Sequence, residues 1–370
     1  MLNRSLALAA FTALTPMTAL AQNNLPRPVE TQELSQLDGW SVSALSRADG
    51  ALPADLWTRS DPDVLAVIFD RLPAVYDSPA TLGLARRVLF SGGEAPRGDG
   101  TVAVRRRFEA LGKMGAADEL ATMASGAGAS LNDPGIAMFA AQAELARGRR
   151  AEACARGRAA NAGETPPVFF LRLRAYCAAV TGDRAAADLA LEFARAQNAA
   201  DAWYTGAIAA AGGAPAARPP AARYDNSLAA QLSMAAGLRP GPNALNESST
   251  LALIALARAD NAPQPQRAQA AWLAFRRGAL SAADTRAILA ATPAEITSGL
   301  PAVVASLRRV ATVTPPPAAA GSEAGAVSAL ETASAIADAL RQASAPAEFA
   351  AVSRFFQREI AALQTAPDVA

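Results

Sequence analysis

The residues of this 370-residue chain best suited to chemistry are its two cysteines, Cys154 and Cys177. A thiolate can serve as nucleophile, metal ligand or redox centre. The chain has no histidine. That removes Ser-His-Asp and Cys-His catalysis, a histidine general base and the usual zinc ligand sets together. The cysteines also lack Cys-x-x-Cys spacing, and two thiolates without histidine make a poor metal site. Two uses remain: a disulfide, or a pair of buried thiols acting as small apolar side chains. No cofactor and no metal are expected.

The other candidate groups are weaker. Glu247-Ser248 resembles the Glu-Ser pair of lytic transglycosylases, which also carry alanine-rich helical solenoids. Their chemistry needs a buried acid with a raised pKa inside a saccharide groove. Here Asn246 is predicted to cap a helix, with Glu247 and Ser248 in its first turn. No companion motif of the transglycosylase catalytic domain surrounds the pair, so no catalytic residue is assigned. The Gly-rich stretches SGGEAPRGDG (91–100) and SGAGAS (125–130) have neither a preceding strand nor the Lys-Ser/Thr of a phosphate loop, and are read as turns. Arg105, Arg106 and Arg107 project in different directions on a helix and are read as a solvated face paired with nearby acids. Trp203, Tyr204, Trp272 and Phe275 read as core at helical spacing. The alternative is a groove for sugar or peptide, whose candidate residues are Arg172, Arg174, Trp203, Tyr204 and Trp272.

Composition dictates the elements that position these groups. Alanine, the best helix former, fills 98 positions, while aromatic residues make up 5% of the chain. An all-α fold is expected. The 34 basic and 33 acidic residues leave a net charge of +1, so no net field draws the chain to nucleic acid or anionic lipid. Lys113 is the only lysine. The arginine excess suits carboxylate or phosphate recognition, but codon bias in a GC-rich bacterial genome explains it as well.

Residues 1–21 read as a cleavable signal peptide: Arg4, an apolar run from Leu6 to Leu14, then Ala19-Leu20-Ala21. Cleavage is expected after Ala21. No cysteine follows the apolar run, which disfavours a lipoprotein, and no later segment is apolar enough to span a bilayer. The expected compartment is the periplasm of a Gram-negative bacterium.

Residues 51–211 show a repeat. Gly115, Gly148 and Gly182 stand 33 and 34 residues apart, each between two amphipathic stretches, and Pro134 and Pro167 mark helix starts in the same phase. In the third unit Phe169, Leu171, Leu173, Tyr176, Cys177 and Val180 are assigned to the buried stripe of the first helix. Ala187, Leu189, Leu191 and Phe193 are assigned to that of the second. Neither helix could bury such a stripe alone, so pairs must stack. The period and turn position resemble tetratricopeptide units, without their consensus Trp, Gly and Tyr. The resemblance implies a tetratricopeptide-like α-solenoid of stacked helical hairpins. Cys154, in the second helix of one unit, would then face Cys177, in the first helix of the next. In an oxidising compartment that pair is expected to form a disulfide.

Around the repeat, residues 22–50 form an N-terminal extension, and two helices split at Asp77 and Ser78 precede the first pair. Residues 212–225 form a Pro/Ala loop and 226–310 a second helical group, with another pair turning at Gly278 and Ser281 as an N-cap. Residues 311–325 are a Pro/Ala linker, 326–364 a C-terminal pair of long helices broken near Ser344 to Ala347, and 365–370 a tail. From LPADLW (52–57) through SPATLGLARRVL and the cysteine-bearing pair, the chain resembles a group of exported alphaproteobacterial α-helical proteins of uncharacterised function. The resemblance covers most of residues 50–360 and implies no catalytic residue. Those proteins are often longer, so the chain is either a short member or one without a C-terminal part. Some of the group are described as antifreeze-like on alanine content, but the irregular, Arg- and Asp-interrupted helices here lack the flat repeated face of an ice binder.

The expected function is that of a non-enzymatic scaffold binding an envelope protein. The alternative is a cell-wall glycan binder or accessory subunit of a peptidoglycan enzyme. A carboxylate-dependent hydrolase or lyase is least favoured. No nucleic acid and no stable membrane insertion after signal cleavage are expected.

Overall fold

A computed structural model describes residues 38–160, 165–214, 218–293, 300–312 and 323–364, all within one compact unit comprising residues 37–370. The signal segment (1–21), most of the 311–325 linker and the 365–370 tail lie outside the described residues. Among the described residues the fold is all-α, with seventeen α-helices and one short 3-10 turn and no strand.

Side-chain caps set many of the helix starts. Asp61 and Ser78 cap α1 (Pro62–Asp70) and α2 (Pro79–Phe90), each with proline in the first turn, where no N–H is missed. Three pairs follow: α3 (Thr101–Lys113) with α4 (Ala117–Gly126), α5 (Pro134–Ala146) with α6 (Arg150–Ala159), and α7 (Val168–Val180) with α8 (Arg184–Ala196). The turns within them are made by Gly115, Gly148 and Gly182, all at positive φ. At Gly115 the Ala116 N–H donates to Leu111 O and the Gly115 N–H to Gly112 O, closing the α3 C-terminus. A Cβ there would be strained by the φ of 73° and would also collide with the Thr250 side chain. The next turn, into α9 (Ala202–Ala211), uses Asn198 at φ 55° in the same role.

The second group comprises α10 (Ser227–Ala235), α11 (Thr250–Arg258), α12 (Gln264–Arg276), α13 (Ala282–Ala290) and α14 (Ala302–Thr312). Gly278 turns α12 into α13 at φ 75°, and Ser281 caps α13 as its sequence predicts. Asn246 does not cap α11. Ser249 does, accepting the Ala252 N–H, because residues 242–248 form a separate turn. The final segment is three helices, not two: α15 (Glu323–Gln342), α16 (Pro346–Phe355) and α17 (Gln357–Gln364). Successive residues on a straight helix diverge by about 100°. The break at Phe356 lets Phe355 and Phe356 both enter the core, with ring centroids 4.9 Å apart.

Along the pairs, α4 packs on α5, α6 on α7, and α7 on α9. The helices α10 and α11 fold back onto α3, α5, α7 and α9, the first helices of the pairs and the one that follows them. Ser227 Oγ and Gln231 Nε2 of α10 donate to the carbonyls of Gln142 and Leu145 at the end of α5. Three buried clusters result. One joins residues 40–143 around Trp40, Trp57, Phe108 and Leu111; a second runs from α4 to α12 around α11; a third ties α12 to α13–α16 around Trp272 and Phe355. Both α5 and α12 serve two clusters, which explains why they are apolar on opposite faces.

The arginine triplet divides. Arg105 pairs with Asp133 and Arg106 with Asp70 and Glu109, as expected of a solvated face. Arg107 is instead fully buried. It lies on the apolar stripe formed by Val104, Phe108 and Leu111, and its guanidinium donates to five carbonyls: Leu89, Gly39, Trp40, Val42 and Ser91, at 2.8–3.2 Å. Residues 38–43 are thereby clamped against α2 and α3. Burial pushes the Arg107 pKa down to about 9 and Asp38 pushes it back, so the group stays charged at neutral pH.

Replacing Arg107 with Met would leave those carbonyls without their donor. The expected cost is about 3 kcal/mol in equilibrium urea unfolding, from the stranded acceptors. A loss below about 1 kcal/mol would show that the clamp is dispensable.

Candidate functional site

The cysteines form a disulfide joining α6 to α7, with Cα atoms 6.1 Å apart. Arg150, Cys154 and Arg158 recur every four residues along α6 and share one face. Gly157 lies where a Cβ would press on Leu173, so its small size lets α6 settle against α7. Beyond the disulfide, α8 presents Ala186, Leu189, Ala190 and Phe193. These side chains and the disulfide line a groove of about 670 Å³, floored by α7 and walled by α6 and α8.

The outer wall corrects an expectation from sequence. Leu189 and Phe193 are exposed, at 57% and 51%, rather than packed inside. The buried stripe of α8 consists of Ala187, Ala190, Leu191 and Ala194, which places Leu189 and Phe193 on another face. On the first helix, Phe170, Leu171, Leu173 and Tyr176 are buried, while Phe169, Cys177 and Val180 are half-buried. Three cations surround the groove: Arg150, Arg158 and Arg174. None of them forms an ion pair among the described residues. Arg150 faces the Tyr176 phenol, whose pKa is raised by burial and held back by that guanidinium. Asp183 is the acid in the lining, and its carboxylate caps α8 by accepting the Ala186 N–H.

The five candidate groove residues do not converge. Arg174 lies in the groove just described. Arg172 stacks over Tyr204 at 4.2 Å and approaches Asp201 at 3.7 Å, bracing α7 against α9. Trp203 and Tyr204 are buried in the second cluster, where Trp203 Nε1 donates to Ala221 O at 2.7 Å. Trp272 belongs to the third cluster, stacked on Phe275. Trp203, Tyr204 and Trp272 are therefore core, and the sequence signal that would have found the groove beside the disulfide was the pair of competing apolar stripes on α8.

Around the Glu247-Ser248 pair, Glu247 is exposed and Ser248 is buried with its hydroxyl donating to Ala244 O. Arg277 donates to the carbonyls of Ser248 and Asn246, holding the turn before α11. An acid on an open turn is not enclosed in the saccharide groove that the transglycosylase chemistry needs. Of the two Gly-rich stretches read as turns, residues 91–100 are irregular chain with a bend at Arg97 and Gly98, and residues 125–130 join a helix end to a 3-10 turn. Gly93 N–H donates to Trp40 O in the first. Among the described residues no group of acids and cysteines could hold a metal, and no helix is long and apolar enough to cross a membrane.

The disulfide closes a loop with a sequence separation of 23. Breaking it with Cys154→Ser and Cys177→Ser together should cost roughly 3 kcal/mol by chain entropy. Urea unfolding of oxidised wild type against the double variant measures this. Equal midpoints would mean that the bond adds no stability.

Comparison with protein-family models, curated proteins and solved structures finds no match to this chain.

Proposed function

We propose that this chain is an exported, non-enzymatic helical scaffold that binds another protein in the bacterial cell envelope. In this reading the signal segment is removed after Ala21, and the mature protein works in the periplasm of a Gram-negative bacterium. The chain is one of the exported alphaproteobacterial helical proteins that it resembles. Helices α3–α9 are a tetratricopeptide-like stack, and α10 and α11 occupy its inner face. The 33- and 34-residue spacing of the positive-φ glycines and the packing order of the pairs support that stack.

One observation carries the binding function: the groove walled by exposed Leu189 and Phe193. Large apolar side chains gathered in a concavity and left half in water mark an interaction surface. The glycan reading has less support, because the rings that would stack on sugars are buried in two separate clusters.

The test is capture from an envelope fraction by immobilised mature protein, with peptidoglycan sedimentation run in parallel. A specific envelope protein, retained by wild type, identified by mass spectrometry and confirmed by reciprocal capture, is the expected result. Sedimentation with peptidoglycan and no captured protein would overturn the scaffold in favour of a wall binder.

A further inference from the structure

We propose that the α6–α8 groove takes an amphipathic helix of the partner protein, its apolar stripe flanked by Asp and Glu. The inference rests on the scaffold reading and names the chemistry of the partner. Leu189 and Phe193 are four residues apart, so they stand one above the other and offer an apolar ridge about one turn long. The floor between them and α6 is the disulfide with Ala178 and Val180 of α7, an apolar surface left partly open to solvent. Walls made of two helices admit the ridge of a third, and β-strand addition has no edge to use, because no strand is present among the described residues. The groove runs beside α8 from Asp183 to Phe193, about 15 Å of helix, enough for nearly three turns of a guest.

Charge sets the flanks. Some arginines elsewhere hold an acid, as Arg86 holds Glu119, Arg147 Asp118, Arg156 Glu144 and Arg286 Glu359. Arg150, Arg158 and Arg174 gather around one apolar groove without such a partner among the described residues, and Asp183 is committed to capping α8. Carboxylates beside the guest's apolar stripe would meet these guanidiniums in pairs, and arginine favours such two-pronged contacts. A helix flanked by lysine would be repelled.

Fluorescence polarisation with two labelled 18-residue helical peptides tests this. Both carry leucine at positions i, i+3, i+4 and i+7; one has Glu flanks and the other Lys flanks. Oxidised mature protein should bind the Glu peptide at least tenfold more tightly than the Lys peptide. Phe193→Asp should abolish binding, and Arg158→Glu with Arg174→Glu should reverse the preference. All three side chains point into the groove rather than the core, and unchanged circular-dichroism melts would confirm intact folding. Equal binding of the two peptides, or binding indifferent to Phe193→Asp, would overturn the assignment. So would a dimer in light scattering that Phe193→Asp dissolves, since a second copy would then fill the groove. Envelope capture that survives Phe193→Asp would overturn the groove and leave the scaffold standing. Binding of the Glu peptide by a chain that captures no envelope protein would support the groove and sink the scaffold.

Discussion

Close approach of alanine-faced helices is the constraint on which this fold depends. In α5, Ala137 and Ala141 face one buried cluster while Ala140 and Ala143 face another, and in α11 every residue from Thr250 to Ala257 is buried. Larger side chains at these positions would force the axes apart, and a close-packed interior does not absorb added methylenes without strain. Small contacts let α11 lie against both α5 and α3, so α10 and α11 become the filling of the first group. The high alanine content is therefore structural at the contacts, beyond its general helix propensity.

In the proposed scaffold, that filling decides where a partner can bind. Stacked helical hairpins usually offer the face of their first helices to a ligand. Here α10 and α11 cover that face, and the polar contacts of Ser227, Gln231 and Arg258 hold them there. What remains open is the opposite side, where α6 and α8 flank α7. The disulfide fixes one wall of that opening and the unpaired apolar face of α8 forms the other. The Arg107 clamp plays the corresponding part at the N-terminal end, replacing helix with loop yet satisfying five carbonyls that burial would otherwise strand.

Much of this was legible in the residues. Left-handed turns need glycine, so the regular spacing of Gly115, Gly148 and Gly182 gave the pairs and their phase, and from that phase came the contact between Cys154 and Cys177. Caps such as Ser78 and Ser281 were readable because their oxygens serve local N–H groups. Longer-range facts were not. The uniform apolarity of α11 announces burial but not the elements that surround it. Arg107 reads as one of three surface arginines until its position on the Val104–Phe108–Leu111 stripe is weighed. On α8, two apolar stripes compete, and only the packing of α7 decides that the alanine stripe is buried and the Leu189–Phe193 pair is left in water. The kink at Phe356 likewise follows from two adjacent rings seeking one core, a tertiary demand that overrides local helix periodicity.

Native-state hydrogen exchange tests the central claim most directly, because protection reports how each helix opens. If α11 is the filling of the fold, the amides of Leu253 to Ala257 and of Ala140 to Ala146 should exchange last and together, through global unfolding alone. The amides of α8 and α17 should open earlier. Exchange of α11 through local opening, as fast as α8 and while α5 stays protected, would contradict the account.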